Sequence, residues 1–218
     1  MRISIVGSGY VGTTIAACFA EVGHDVVNVD IDEEIVASLN DGDAPIHEPG
    51  LDDLVAAHAG DGLRATTDYA AVRDTDVTFL ALPTPSEEDG HIDLSIMEAG
   101  ARSLGAALAE KDDHHVVVTK STVVPTTTEE VIAPILAEES GKTLGDDLDI
   151  GMNPEFLREG SAVEDFLSPD KVVLGSETDR AAETLRGVFD PLVAQAGDPP
   201  VVETGVAEAE MIKYANNG

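Results

Sequence analysis

Short apolar runs alternate with amphipathic stretches along the whole chain of 218 residues. Seven of these runs have the length of β-strands, at residues 3–6, 26–29, 77–82, 116–119, 148–152, 172–175 and 201–203. Helical periodicity occupies the remaining segments, at residues 10–22, 32–40, 51–58, 95–110, 126–139, 178–188 and 205–217. Because repeated alternation of strands and helices is typical of βα units, we predict an α/β fold. Its sheet should be parallel and doubly wound, with helices on both faces.

The composition fits buried strands beneath an acidic surface. Hydrophobic residues make up 43% and aromatics only 4%, so the core must consist mainly of small aliphatic side chains, which suits a parallel sheet. Twelve basic residues stand against 43 acidic ones, and the net charge of −31 argues against binding to nucleic acid or anionic membranes. The acids are spread along the chain, which indicates a solvated, halophilic surface suited to a salt-rich cytoplasm. A docking surface for a basic partner would favour one concentrated patch.

Cysteine and histidine usage argues against a metal site. Cys18 is the only cysteine, which excludes an internal disulfide and a cysteine-based zinc cluster. It lies in the alanine-rich helical segment "IAACFA", so we predict that it packs in the core. The six histidines show no metal-ligand spacing. No apolar run has the length of a membrane span and no secretory signal opens the sequence, so we expect a cytoplasmic protein.

Three glycines between the first strand and the first helix predict a dinucleotide site. Gly7 allows a tight turn, Gly9 lets the backbone approach a pyrophosphate, and Gly12 permits close helix packing. This is the Rossmann-like pattern, and Asp30 ends the second strand where a carboxylate can accept from both ribose hydroxyls. A carboxylate there repels a 2′-phosphate, and no Arg follows it in "DIDEEI". The sequence therefore predicts NAD rather than NADP.

Four further segments follow predicted strands, where open α/β sheets bind ligands. They are "LPTP" (82–85), "STVVP" (121–125), "NPEFLREG" (153–160) and "EAEMIKYANN" (208–217). In the third segment, one helical turn would aim the carboxylates of Glu155 and Glu159 the same way, although a surface helix start explains this spacing too. In the fourth, a helix would place Lys213 and Asn217 on one face beside Tyr214. An ammonium and an amide donor so placed can stabilise developing negative charge.

Together these segments resemble a known family. The set "GSGYVG", "APIHEPGL", "LPTP", "STVVP", "NPEFLREGSAVEDFLSPDKVVLG" and "AEMIKYANN" is similar to the N-terminal, NAD-binding half of the UDP-glucose/GDP-mannose dehydrogenases. The resemblance covers essentially the whole chain. It is strongest to the UDP-glucose 6-dehydrogenases of the family. The GDP-mannose enzymes share "NPEFLREG" as well, so GDP-mannose remains an alternative substrate.

The resemblance implies a two-step, four-electron oxidation of a nucleotide sugar, converting the C6 alcohol of UDP-glucose to a carboxylate with two NAD per turnover. It implies that the glycine loop holds NAD, and that other residues line the nicotinamide side. The residues implied for the cofactor are Gly7, Gly9, Tyr10, Val11, Gly12, Asp30, Thr84, Thr122 and Glu159.

The resemblance also implies catalytic and substrate-binding roles. Thr122 would help to place a catalytic water, and Glu155 would act in acid/base work, with Glu159 close by. Lys213 would stabilise the oxyanion with support from Asn217, and both would also contact the substrate. The backbone of Phe156 and Leu157 would contact the nucleotide sugar.

One part of the family pattern is missing. In the family, the second oxidation passes through a thiohemiacetal and thioester on a downstream cysteine, and no such segment occurs here. Cys18 lies in the wrong context to replace it. We therefore expect residues 1–204 to form the NAD-binding domain and residues 205–218 to begin the interdomain and dimerisation helix, with the C-terminal UDP-sugar-binding domain absent. Such a fragment should be inactive alone, and the homodimer expected of the complete enzyme is in doubt for it.

Two readings of other kinds remain open. The chain could be a dehydrogenase of the hydroxyacid or phosphogluconate type, in which a catalytic Lys also lies on a helix after the Rossmann domain; "NPEFLREG" argues against this. It could also be a non-catalytic NAD-sensing module, which would need Asp30 and the glycines but would have no use for Glu155, Glu159 and Lys213.

Overall fold

A single sheet of eight strands organises the protein. The computed structural model describes residues 1–86 and 91–217, and for Asn217 it describes only the backbone. The strands are β1 (Arg2–Val6), β2 (Asp25–Val29), β3 (Leu63–Thr66), β4 (Val77–Leu80), β5 (His115–Thr119), β6 (Leu148–Met152), β7 (Val172–Ser176) and β8 (Val201–Thr204). Their order across the sheet is β3-β2-β1-β4-β5-β6-β7-β8. The predicted α/β fold with a doubly wound sheet is confirmed.

Eight α-helices connect the strands over the described residues. They are α1 (Tyr10–Glu21), α2 (Glu33–Asp41), α3 (Leu51–His58), α4 (Ser95–Leu108), α5 (Ala133–Ser140), α6 (Ala162–Leu167), α7 (Asp179–Gln195) and α8 (Val206–Asn217). A 3₁₀-helix covers Tyr69–Asp74, and a π-helical segment at Thr128–Ile132 leads directly into α5. In the part of the chain that the structure describes, no helix is both long and apolar enough to cross a membrane.

The sheet departs from the predicted all-parallel arrangement at β7. The first six strands in the order are parallel, but β7 runs antiparallel to β6 and is paired only through Gly151–Ser176 and Met152–Gly175. The only helix between them, α6, has six residues and rises about 9 Å, too little to return the chain to the opposite edge. Because the residues before Gly175 lie opposite positions after Met152, β7 and its parallel neighbour β8 continue beyond the carboxyl end of β6.

The sequence pattern missed three elements, namely β3, the 3₁₀-helix and α6, and it predicted α7 too short. Strand β3 is an edge strand of four residues, with Arg64 exposed, so its apolar signal is weak. Helix α6 was hidden in a segment that also carries loop residues. Helix α7 continues through Pro191 to Gln195, beyond the predicted end at residue 188.

Helices cover both faces of the sheet, as predicted. Alternate strand residues point to opposite faces, so Ile3 and Ile5 pack beneath α1 while Val6 packs beneath α4. Phe19 is fully buried at the centre of the first face, and its ring centroid lies 5.1 Å from those of both Phe79 and Phe166. Cys18 beside it is also fully buried, and burial raises the pKa of its thiol. This aromatic cluster fixes α1, which begins at the glycine loop, against the sheet.

We predict that Phe19→Ala lowers the free energy of unfolding by about 3–5 kcal/mol, because it leaves a large cavity among aromatic rings. Urea denaturation at constant KCl concentration measures the change. Met211→Ala is the matched control, since Met211 is 54% exposed and its truncation opens no cavity. Equal losses in the two variants would contradict the central place of Phe19 in the core.

Candidate functional site

The glycine loop has the geometry of a phosphate cradle. Gly7 has φ +102°, and an added Cβ would lie 2.6 Å from the Ala81 carbonyl oxygen. A Cβ on Gly12 would lie 1.9 Å from the Gly7 carbonyl oxygen. A Cβ on Gly9 would meet nothing within 4 Å, so this glycine leaves open space at the start of α1. The loop therefore keeps room for a pyrophosphate where the helix amides and the helix dipole favour an anion.

Asp30 lies at the end of β2, beside this loop. One carboxylate oxygen accepts from the Ser8 amide at 2.5 Å and the other from the Asp32 amide at 3.0 Å. A carboxylate offers about four lone-pair sites, so both oxygens keep capacity for ribose hydroxyls. Asp30 also lines a cavity of about 140 Å³, together with Ile31, Tyr69 and Ile96. A charged acceptor beside a small, partly apolar cavity fits the adenosine half of NAD.

The buried side chain of Asn28 fixes the glycine loop by hydrogen bonds, a role that was not predicted from the sequence. Its amide nitrogen donates to the carbonyls of Ile5 and Gly7, each at 3.1 Å, and its side-chain oxygen accepts from the Ser8 hydroxyl. Thr13 adds a hydrogen bond from its hydroxyl to the Ser8 carbonyl at 2.9 Å. A polar residue inside the apolar run "VVNV" was the available signal.

Glu48 connects the cofactor helix to the loop after β6. This buried carboxylate accepts from the Tyr10 hydroxyl at 2.5 Å, the Gly160 amide at 2.9 Å and the Ala162 amide at 2.7 Å. Burial pushes the pKa of Glu48 up, but the hydrogen bonds from these three donors outweigh it and hold the pKa below its usual value. Burial and the Glu48 contact raise the pKa of Tyr10. Glu48, the acidic residue of "APIHEPGL", therefore positions Tyr10 and Gly160, which is next to Glu159.

The loops after β4 and β5 are joined to each other. The Thr84 hydroxyl donates to the Thr122 carbonyl at 2.8 Å, and the Ser121 hydroxyl donates to the Leu82 carbonyl at 2.6 Å. Both predicted nicotinamide-side threonines are therefore near one another, at the carboxyl edge of neighbouring parallel strands. Val11, by contrast, packs its side chain against the core, so only its backbone lies at the start of α1.

Glu155 and Lys213 form an ion pair at the next strand end. The Lys213 ammonium lies 2.6 Å from one Glu155 oxygen, and the other oxygen accepts from the Leu157 amide at 2.8 Å. The side chain of Lys213 is only 6% exposed and that of Glu155 only 15% exposed, so the pair is largely shielded from water. The pair joins α8 to the loop after β6, between residues 58 positions apart in the sequence.

The predicted helical turn around Glu155 and Glu159 is wrong. Residues 153–158 form an irregular loop and 159–161 a turn, and the nearest helix begins only at Ala162. Glu155 consequently turns to Lys213, whereas Glu159 is exposed.

A second buried lysine lies in the same region and was missed by the sequence analysis. Lys120 is 4% exposed and donates to the Asn153 side-chain oxygen at 2.6 Å. Burial is the main cause that lowers its pKa to about 8, and Lys213 lowers it further, while Glu155 acts in the opposite direction. Asn153 donates in turn to the Val173 carbonyl. The signal was a lysine directly after an apolar strand, one residue before "STVVP".

A cavity of about 520 Å³ opens beside these lysines, bounded by the loop after β6 and by β7. Lys171 also lines it, with its ammonium 4.4 Å from the centroid of the Phe156 ring. Arg158 is held by a two-pronged contact with Asp165. Three of the twelve basic residues in a protein of net charge −31 thus line one cavity as lysines. Glu164 and Asp170 line it as well, so its charge is mixed.

Asn217 ends α8, but its side chain lies outside the described residues. Over residues 1–86 and 91–217, no group of three or more His, Cys, Asp or Glu side chains is arranged to hold a metal ion.

Comparison with known proteins decides the family. Residues 1–193 match the model of the UDP-glucose/GDP-mannose dehydrogenase family, NAD binding domain. This chain belongs to that family. The match confirms the predicted resemblance and NAD as the cofactor of this domain, and the glycine loop and Asp30 described above fit that cofactor.

Several members of the family are similar to the chain over its full length. It is 73% identical over 217 residues to the UDP-glucose 6-dehydrogenase AglM of Haloferax volcanii, covering 100% of this chain and 50% of that protein. It is 41% identical over 219 residues to the GDP-mannose 6-dehydrogenase of Pseudomonas syringae pv. tomato, covering 49% of it. The chain therefore spans about half the length of the curated relatives that it matches. The acidic surface fits the relative from the halophile Haloferax.

Solved structures of the family share this fold closely. The ternary complex of GDP-mannose dehydrogenase from Pseudomonas aeruginosa superposes with a TM-score of 0.94 at 41% identity, over 100% of this chain and 49% of that one. The UDP-glucose dehydrogenase of Pyrobaculum islandicum gives a TM-score of 0.90 at 43% identity, over 99% of this chain and 49% of that one.

Lys120 predicts a specific pH dependence of stability. Its pKa is about 8 in the folded protein against an ordinary value of 10.5, so between these values the unfolded state binds more protons. The free energy of unfolding should then rise with pH from 8 to 10.5, by up to about 3 kcal/mol. Urea denaturation at a series of pH values measures this.

Lys120→Met should remove that rise. Subtracting the free energy of unfolding of the variant from that of the wild type at each pH cancels the titration of other groups. Lys142→Met is the matched control, because Lys142 donates to the Lys111 carbonyl and is only half-buried. A pH slope in Lys120→Met equal to that of the wild type would show that Lys120 keeps an ordinary proton affinity.

Proposed function

We propose that this chain is the NAD-binding half of an NAD-dependent UDP-glucose 6-dehydrogenase. The enzyme would oxidise UDP-glucose to UDP-glucuronate in two successive steps, with two NAD reduced per turnover. The observation that carries the proposal is the shielded Lys213–Glu155 ion pair at the carboxyl edge of the sheet. It lies at the cavity beyond β6 and on the same edge of the sheet as the glycine loop.

The ion pair supplies the groups that alcohol oxidation needs. NAD, held by the glycine loop and Asp30, would supply the acceptor for the hydride that leaves the sugar C6. Loss of the hydroxyl proton leaves negative charge on the C6 oxygen, and an ammonium fixed in a poorly solvated site stabilises that charge strongly. Glu155 holds Lys213 in place and is the carboxylate available for acid/base work. Thr122 and Thr84 would lie on the nicotinamide side, since their loops are joined at the adjacent strand ends.

The cavity suits an anionic, sugar-bearing nucleotide. Lys120, Lys171 and Lys213 line it, and Asp165, one of its acids, is neutralised by Arg158. Phe156 contributes an aromatic face, over which the Lys171 ammonium lies. The Leu157 amide already donates to Glu155, so substrate contact through this residue would use its carbonyl or follow a change at Glu155. In this proposal Asn217 supports Lys213, and Glu159 forms part of the surface that faces the nicotinamide.

Sequence similarity favours UDP-glucose over GDP-mannose. Identity to the Haloferax UDP-glucose enzyme is 73%, against 41% to the GDP-mannose enzyme of Pseudomonas syringae. We further propose that residues 1–204 form the cofactor domain and that α8 begins the helix that leads to a sugar-binding half. The complete enzyme would supply the cysteine nucleophile and would form a homodimer.

The cofactor part is tested on this chain in molar KCl by isothermal titration calorimetry. We expect NAD to bind more tightly than NADP. Asp30→Asn should weaken NAD binding about 10-fold or more, because the ribose hydroxyls lose a charged acceptor, and should narrow the gap to NADP. Asp32→Asn, two residues away, is the matched control. NADP binding as tight as NAD in the wild type would contradict the proposed role of Asp30.

The catalytic part is tested by a fusion. Joining this chain to the remainder of the Haloferax enzyme, beyond the segment it matches, should give two NADH for each UDP-glucose, while the unfused chain should give none. Lys213→Ala in the fusion should lower kcat about 100-fold or more, because the oxyanion loses its cation. Lys142→Ala, half-buried and outside the cavity, is the control.

Full activity of Lys213→Ala would remove the proposed role of α8 in catalysis. Faster oxidation of GDP-mannose than of UDP-glucose by the fusion would instead favour the second substrate.

A further inference from the structure

Glu210 is a fully buried carboxylate that binds two backbone amides of one turn. One of its oxygens accepts from the Thr126 amide at 2.5 Å, and the other from the Thr128 amide at 2.9 Å. Among residues 1–86 and 91–217, no basic side chain pairs with it. A buried carboxylate is costly unless it is well bonded, so these two amides are what keeps Glu210 in place, and Glu210 holds them in turn.

The turn that Glu210 binds is strained. Thr126 has φ +77°, which a β-branched residue rarely adopts, and the π-helical segment Thr128–Ile132 follows directly. The Thr126 carbonyl accepts from the Glu130 amide, and the Thr128 hydroxyl donates to that of Thr119 on β5. Strained backbone persists only where its surroundings over-determine it. This turn lies four residues after Thr122 on the same strand-end loop.

Glu210 and Lys213 are three residues apart on α8 and are both buried, so they share one face of the helix. Glu210 contacts the loop after β5, and Lys213 contacts Glu155 on the loop after β6. A single turn of α8 therefore contacts both loops that carry predicted catalytic residues. A shift of the strained turn would change the distance between Thr122 and the Lys213–Glu155 pair.

The geometry points to Glu210 as a positioning residue that fixes the Thr122 loop against α8 and so sets the nicotinamide side of the site. This inference rests on the proposed function, in which Thr122 lies beside the nicotinamide. Glu210 is fully buried, so it would act through the loop that it binds and not by contact with cofactor or substrate. The adenosine half of the cofactor site, around Asp30 and the glycine loop, has no contact with it.

That separation provides the test. Glu210→Gln keeps the shape of the side chain but turns one acceptor into a donor that faces a backbone N–H. We expect it to weaken binding of NAD to this chain about 10-fold, while binding of ADP-ribose, which lacks nicotinamide, stays unchanged. Hydrogen exchange measured by NMR should show faster exchange at the Thr126 and Thr128 amides. Glu208→Gln is the matched control, because Glu208 is exposed on the same helix and carries the same charge.

Glu210→Asp retains the charge with a shorter side chain, and we expect a smaller loss of NAD affinity from it. Equal weakening of NAD and ADP-ribose, or a lower melting temperature with NAD affinity unchanged, would assign Glu210 to general stability and overturn the inference. If the wild-type chain binds NAD no more tightly than ADP-ribose, nicotinamide adds no affinity, and the proposed nicotinamide site is wrong instead. Even then, unchanged hydrogen exchange at the Thr126 and Thr128 amides in Glu210→Gln would show that Glu210 does not hold this turn, and would overturn the inference.

Discussion

A carboxylate removed from water must receive hydrogen bonds, and three glutamates apply this constraint to the loops at the carboxyl edge of the sheet. Glu48 takes donors from Tyr10 and from the turn before α6, Glu155 from Lys213 and Leu157, and Glu210 from the turn after Thr122. The protein has 43 acidic residues, most of them on its surface. The few that are withdrawn from solvent each join elements that are distant in sequence, and the geometry of the site follows from them.

The acidic surface and the site respond differently to salt. At molar KCl the Debye length falls to about 3 Å, so repulsion among exposed carboxylates is screened almost completely. The Lys213–Glu155 pair is mostly shielded from solvent, and the ions that screen the surface do not enter between charges 2.6 Å apart. A net charge of −31 is therefore compatible with a site built around buried lysines.

The sequence predicted what depends on local pattern and failed where distant residues decide. Apolar runs located seven strands, and the glycine spacing with Asp30 predicted NAD as the cofactor, because both signals lie within about 30 residues. Strand β3 escaped because an edge strand with an exposed arginine has little apolar signal. The direction of β7 depends on the short helix α6, and Glu155 in the loop at 153–158 is bound by Lys213, 58 residues away, so neither feature follows from periodicity. Glu48 and Gly160 are 112 residues apart, and Glu210 and Thr126 are 84 apart, distances over which no sequence period operates.

The glycine-loop helix and the cavity beyond β6 share structural supports. Tyr10 opens the helix on which the pyrophosphate would lie, and its hydroxyl reaches both Glu48 and the Arg158 carbonyl. Arg158 and the nearby Phe156 line the cavity beyond β6. The start of α1 is therefore joined to the cavity loop both through the buried Glu48 carboxylate and by the direct contact of Tyr10 with the Arg158 carbonyl. Since interiors are closely packed and resist compression, such a link transmits small displacements efficiently. The rigid sheet sets where the loops begin, and the buried glutamates set where they end.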